Sequence, residues 1–163
     1  MADESLITDE MRAALGKESA PVAHEVDRTA IRMFARSVGH TDPIYYDVKE
    51  AQAAGYRDIP CPPGYLGTPV YDPALSDPTS GRRRGAQELQ ASRPLNRRLN
   101  GGTEIEYLAD ICAGDVLTAT SALADVQERM GSIGQMLIST SKTTYRNQDG
   151  EVVAVMTGTG IRY

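Results

Sequence analysis

Beyond Gly101 the chain changes to a period of two. Residues 102–108, 115–126, 134–145 and 151–161 alternate and are rich in Val, Ile, Thr and Tyr, the pattern of strands with one face buried. Arg146-Asn-Gln-Asp-Gly150 joins the last two as a hairpin turn in which Gly150 can take positive φ, and Ala113-Gly114-Asp115 marks a second turn. One further alternating run precedes them, residues 22–26, opened by Pro21. Five strands, with helical segments inserted between the first and the second, predict an α+β domain in which helices cover an antiparallel sheet. A length of 163 residues with 40% hydrophobic content suits one domain, 1–163, with a sizeable core.

The residues before Gly101 supply the helices. Thr8 is positioned to cap a short helix through Met11, Ala14 and Leu15 that Gly16 stops. Asp27 or Thr29 caps a run, residues 29–37, whose Ile31, Phe34 and Ala35, with Val38, fall on one face. Gly39 ends that run. The polar His40-Thr-Asp then meets Pro43, which disfavours helix at the residue before it, so a loop presents His40, Asp42 and Tyr45 close together. Residues 47–54 form another short helix, ended by Gly55, and Pro60, Pro62 and Pro63 lead to Gly64 and Tyr65, where a turn opens a helix with free backbone N–H groups. This is the expected central helix of the sheet, short or broken because Pro69, Pro73 and Pro78 interrupt it. Acid/base groups and a helix start bearing N–H donors are two parts that an enolate chemistry needs.

The same stretch carries a family resemblance. Gly39-His-Thr-Asp-Pro-Ile-Tyr45 resembles the hydratase motif of MaoC-like acyl-CoA hydratases and dehydratases, hot-dog proteins in which it reads Gly-Asp-x-Asn-Pro-(Leu/Ile)-His. His40 stands where the family has its catalytic Asp, Asp42 where it has Asn, and Tyr45 where it has its catalytic His. That departure is similar to the N-terminal-type MaoC dehydratase domains, the half of a double hot-dog that shapes the acyl tunnel while a partner half supplies Asp and His. Residues 143–154 and the final Ile161-Arg-Tyr163 resemble the same subgroup. The resemblance implies a hot-dog fold of about five antiparallel strands wrapped on a central helix, and reversible hydration of a 2-enoyl thioester. It puts Gly64 on the family's oxyanion glycine, and Tyr45, Pro63, Gly64 and Tyr65 beside the substrate. No cofactor is implied beyond the acyl-CoA or acyl-carrier thioester that serves as substrate.

Residues 71–100 are rich in Pro, Gly, Ser and Arg without a sustained period, and are long enough to read as a lid-like loop. They hold Arg82, Arg83, Arg84, Arg93, Arg97 and Arg98, with Glu88 the single acid among residues 82–98, in a chain of net charge −5. Arginine forks suit the phosphates of a coenzyme A thioester. Arg82, Arg83 and Arg84 are therefore candidate substrate contacts, with a solvated or partner-facing patch as the plainer reading. The acidic balance argues against nucleic acid as a partner. Cys61 and Cys112 lack metal-type spacing, so no metal is expected and a reduced chain is; Cys61 as a nucleophile is set aside. His24 reads as a surface or interface residue of the first strand. Gly158-Thr-Gly160 looks like the start of a dinucleotide fingerprint, but only three residues follow it, too few for the helix that would receive a pyrophosphate. The first residues lack the basic and apolar regions of a signal peptide and no apolar run approaches the ~18 residues of a membrane span, so no membrane partner and a cytoplasmic protein are expected.

The leading expectation is a non-catalytic, tunnel-shaping subunit of an enoyl-thioester hydratase/3-hydroxyacyl dehydratase. Its partner would be a catalytic MaoC-like hot-dog subunit in an obligate heterodimer or dimer of heterodimers, because one domain leaves sheet edges open and lacks the Asp and His. His40, Asp42 and Tyr45 are the only catalytic candidates, and a tyrosine, with an ordinary pKa near 10, is a poor base. A second reading makes the chain self-sufficient, with His40 as base and Tyr45 or Asp42 as acid. A third is a module that binds acyl thioesters or stabilises a partner without turnover.

Overall fold

The computed structural model describes residues 5–67 and 89–163. Five strands, β1 (Val22–Glu25), β2 (Arg98–Tyr107), β3 (Val116–Gly131), β4 (Gly134–Arg146) and β5 (Val152–Arg162), form one antiparallel sheet in the spatial order β1-β3-β4-β5-β2. Helices α1 (Asp9–Ala14), α2 (Arg28–Ser37) and α3 (Val48–Ala53) and 3-10 turns at Pro43–Tyr45 and Tyr65–Gly67 all precede β2. The chain therefore has the expected α+β order, with α2 and α3 inserted between the first two strands. Each helix begins on a side-chain cap. Thr8 accepts from the Met11 N–H at 3.3 Å, Asp27 from that of Ala30 at 2.9 Å and Asp47 from that of Lys49 at 2.7 Å; such caps contribute about 1 kcal/mol apiece.

Two core clusters lie under the sheet, and the register says why they are separate. Alternation puts Leu137, Ser139, Ser141, Thr143 and Tyr145 on one face of β4. At the Tyr145 end, Ile31 of α2 packs with Val26, Ile59, Leu117 and Ala154. At the Leu137 end, Met11 of α1 packs with Leu6, and Leu89, Leu95 and Val126 lean on them. Between these ends the face is made of small polar residues. Ser139 and Ser141 stand opposite Gly160 and Gly158 of β5, and the hydroxyls of Ser121 and Thr143 lie 2.8 Å apart.

Three boundaries differ from the sequence reading. β2 begins at Arg98, not at Gly102, because a register shift between Asn100 and Gly102 lets the strand run through the glycine pair and continue pairing, Leu99 with Ile161 and Arg98 with Arg162. The expected 71–100 loop therefore ends before Arg98. β3 continues to Gly131, past an irregularity between Leu123 and Asp125, and returns through a tight turn in which Gly134 has φ +106°. The expected central helix is represented by the single 3-10 turn Tyr65–Gly67; its continuation, with Pro69, Pro73 and Pro78, lies outside the described residues, as do Arg82, Arg83 and Arg84. Among the described residues no helix is long and apolar enough to cross a membrane.

Candidate functional site

The motif loop is assembled from the C-terminus of α2. Gly39, with φ +77°, turns the chain, and the His40 N–H reaches back to the Ala35 carbonyl at 2.9 Å. Asp42 then caps the Pro43–Tyr45 turn by accepting the Ile44 N–H at 3.1 Å. Arg32 of α2 donates to the Tyr46 carbonyl at 2.9 Å, and the Tyr46 hydroxyl donates to the His40 carbonyl. The loop is thus tied to the helix from both ends. It brings together all three sequence candidates, but with different duties. The rings of His40 and Tyr45 meet, centroids 5.2 Å apart and tilted by 43°, both half-buried. Asp42 is exposed and its carboxylate serves as a cap. Burial first, then the nearby Tyr56 and Asp42, raises the Tyr45 phenol above its ordinary pKa. It is a neutral hydrogen-bonding group at physiological pH and a weak acid.

The second half of the site is the segment 57–67. It is stitched to the residues before β3: the Cys61 N–H donates to the Ile111 carbonyl at 2.7 Å and the Ala113 N–H to the Ile59 carbonyl at 2.9 Å. Asp115, 2% exposed, takes the Arg57 guanidinium, the Cys112 N–H at 2.9 Å and the Gln148 amide at 3.4 Å. These contacts carry the chain to Gly64, whose φ of +88° suits glycine alone, and whose N–H donates to the Tyr107 hydroxyl at 3.2 Å. Tyr65 meets Phe34 of α2 edge-on at 5.7 Å, and the buried Tyr145 hydroxyl donates to the Leu66 carbonyl at 3.1 Å. Burial pushes the Tyr65 phenol up to about 12, and burial likewise raises Tyr107 although the N–H groups of Gly64 and Leu66 pull it down. The Cys61 thiol is also pushed up by burial, then by Cys112 and Asp115, so it stays protonated and is no nucleophile.

Phe34 joins the halves, since it lies on the helix that feeds the His40 loop and a Cβ on Gly64 would sit 3.5 Å from its Cζ. Pro63 is exposed beside Gly64. Arg93 donates to the Gln135 side chain at 3.2 Å and Arg97 pairs through its backbone with Tyr163, so neither belongs to this cluster. Tyr107, Tyr145 and Asp115 are the residues that sequence reading passed over. Each is a strand-end or turn residue in an ordinary alternating run, with nothing local to mark its polar atom. His24 is half-buried and edge-on to Tyr145 at 5.9 Å, a strand residue as expected. Among the described residues no three His, Cys, Asp or Glu side chains converge where a metal ion could be held.

Comparison with known proteins agrees with this fold. The chain is 31% identical over 144 residues to the UPF0336 protein of Parafrankia sp. (strain EAN1pec), covering 83% of this chain and 82% of the relative, and 33% identical over 113 residues to the UPF0336 protein of Streptomyces griseus, 68% of each. Among solved structures it is similar to the HadBC 3R-hydroxyacyl-ACP dehydratase complex of Mycobacterium tuberculosis, with TM-score 0.67, 19% identity and coverage of 91% of this chain and 96% of that one. The ChsH1-ChsH2 complex of the same organism gives TM-score 0.68 at 19% identity, covering 94% and 92%. A MaoC-like dehydratase gives 0.71 at 20%, where 93% of this chain spans 42% of the other. Residues 13–156 match the family described as FAS1-like, dehydratase domain region. The chain belongs to that family, and it shares the hot-dog fold of the MaoC-like dehydratase structures.

Proposed function

We propose that the chain is the non-catalytic, substrate-shaping half of an enoyl-thioester hydratase/3-hydroxyacyl dehydratase and works with a MaoC-like subunit that supplies Asp and His. One observation carries this reading. The motif loop is fully built, yet its carboxylate, Asp42, is exposed and caps the Ile44 N–H, the position of the catalytic Asp holds His40, and the position of the catalytic imidazole holds the raised phenol of Tyr45. A base that activates water and an acid that protonates carbon are both needed for this chemistry, each worth roughly 10²–10⁴-fold in rate. The loop presents the shape of a hydratase site without that pair. The family membership supports the reaction class, and two of the similar structures, HadBC and ChsH1-ChsH2, are themselves complexes. In this reading Pro63, Gly64 and Tyr65 border the thioester, Arg82, Arg83 and Arg84 meet its phosphates or the partner, and the assembly is obligate in the cytoplasm. A second reading makes His40 the base, favoured by its contact with Tyr45.

Co-expression with a MaoC-like partner that retains Asp-x-Asn-Pro-x-His separates the two. The expected result is a stable heteromer by native mass, whose enoyl-thioester hydration disappears when the partner's Asp is replaced and survives His40→Ala here. A loss of roughly 10²–10⁴-fold on His40→Ala, with the complex intact, would assign the base to this chain instead. A chain that stays monomeric at micromolar concentration refutes the heteromer.

A further inference from the structure

The two edges of the sheet are guarded unequally. β1 is four residues long, whereas β2 runs for ten, and every residue of β2 is exposed except the half-buried Ile105. Pairing with β5 uses only one side of β2. The Leu108 N–H donates to the Val153 carbonyl at 2.8 Å, and the register that follows turns the backbone groups of Glu106 and Glu104 towards Val155 and Thr157. The backbone N–H and C=O groups of Thr103, Ile105 and Tyr107 therefore point away from the sheet. Among the described residues no strand pairs with that side. An edge of this length, free of proline and with its one register shift at the Gly102 end, is a template for a further strand.

The side chains decide which strand. Glu104 and Glu106 share the face opposite to that of Ile105 and Tyr107. Because their backbone groups bond β5, they would occupy the non-hydrogen-bonded pairs of an added strand, where opposing side chains come closest. Neither has a cation to meet, since the ion pairs among the described residues are Arg28–Asp58 and Arg57–Asp115. A second copy of the chain fits poorly. Aligned antiparallel on Ile105, it sets Glu104 against Glu106 twice; aligned on either glutamate, it sets that glutamate against itself, and like charges directly opposite are destabilising. We infer that the free edge of β2 takes a strand from a different chain, one that carries Lys or Arg opposite Glu104 and Glu106. The edge ends at Tyr107, whose hydroxyl accepts the Gly64 N–H, so the added strand lies beside the candidate site. The inference stands on the edge and its two charges and does not require the dehydratase reading.

The chain itself can supply the probe. Glu104→Lys with Glu106→Lys makes β2 basic, and in an antiparallel pair about Ile105 the two introduced lysines face Glu106 and Glu104 of the parent. Fluorescently labelled parent is titrated at low ionic strength with this variant and with unlabelled parent, and binding is followed by anisotropy. The variant should bind saturably and about tenfold more tightly than the parent binds itself, a difference of about 1.4 kcal/mol, and high salt should erase the difference. Glu104→Lys alone should give part of the gain, and serves if the double variant does not fold by circular dichroism. The Thr103 and Ile105 amides should exchange hydrogen more slowly in the mixture than in either chain alone. Thr103→Pro in the variant removes one outward N–H at a place where an edge strand tolerates proline, and should abolish the gain. Equal affinity in the two titrations, no saturable association in either, or association that leaves those two amides unprotected overturns the inference.

Discussion

Asp115→Ala is the substitution that most directly tests how the site segment is held. The side chain is 2% exposed and its carboxylate serves three donors: Arg57, the Cys112 N–H at 2.9 Å and the Gln148 amide at 3.4 Å. Removing it leaves the Cys112 amide buried without its partner, which costs about 1–3 kcal/mol. The Arg57 side chain is 54% exposed and returns to water, so its share is that of a surface pair, about 0–1 kcal/mol. The sum is roughly 1–4 kcal/mol, or a fall in midpoint of about 2–16 °C for a chain of this size. Gln148→Ala removes only the long 3.4 Å contact and should cost under about 1 kcal/mol. Thermal and urea unfolding followed by circular dichroism compare the two. An Asp115→Ala chain within about 0.5 kcal/mol of the parent, a typical effect of a neutral surface change, would refute the claim that this carboxylate anchors residues 57–62 to the start of β3.

Gly64→Ala should destabilise by about 1–2 kcal/mol in the same assay, since φ is +88° and the added Cβ meets only an ordinary 3.5 Å contact with Phe34, leaving the dihedral as the cost. Burial raises the phenols of Tyr65, to about 12, and of Tyr45, Tyr107 and Tyr145, so the folded chain binds more protons than the unfolded one at alkaline pH. Stability should be fully present below the ordinary tyrosine value near 10 and fall as pH rises from there to about 12, with a late phase of phenolate absorbance that Tyr65→Phe reduces. Hydrogen bonds from Ser5, Ile7 and Gln135 hold the Glu128 carboxyl below its ordinary value, with Ser5 the largest cause. Their contribution is present above the ordinary glutamate range and lost on acidification, and Glu128→Gln should make residues 5–11 an earlier target in limited proteolysis without a large change in midpoint.

The sheet was legible because its signals are local. Period two, β-branched composition and the Asn147–Gly150 turn, in which the Gly150 N–H bonds the Asn147 carbonyl at 3.0 Å, need no knowledge of what packs on them. The cap at Thr8 was legible for the same reason, as was that at Asp27, read with Thr29 as its alternative. Arg98 and the end of β3 were not, since pairing through Gly101 and Gly102 and through Gln127–Met130 is decided by the partner strand rather than by residues that are themselves exposed or weakly patterned. The motif loop could be read as a loop, and its three polar residues as neighbours. Their duties could not. That Asp42 is a cap, that Tyr107 accepts the Gly64 N–H and that Asp115 anchors the segment 57–62 depends on contacts across 2, 43 and 58 positions of sequence, of which only the first lies within a reading window.

Those duties bear on where the acid and base of the proposed reaction come from. A backbone N–H already satisfied inside the fold is available to a substrate only if its acceptor is displaced, and the displaced acceptor must then be satisfied too, whereas a carboxylate that takes one N–H keeps room to accept others. At this site the Asp42 carboxylate has Ile44, the His40 carbonyl has the Tyr46 hydroxyl, and the Gly64 N–H has the Tyr107 hydroxyl. The His40 ring and the Tyr45 phenol of the loop are packed on one another. The phenol is held neutral by burial, so it can donate a hydrogen bond but not take a proton from water. A loop whose polar atoms are committed in this way keeps its shape at little cost in the absence of substrate. That is a useful property in a wall of an acyl site and a poor one in its catalytic centre, where groups must be free to change protonation during the reaction. The proposed division of labour between a shaping half and a reacting half rests on how this chain spends its hydrogen bonds.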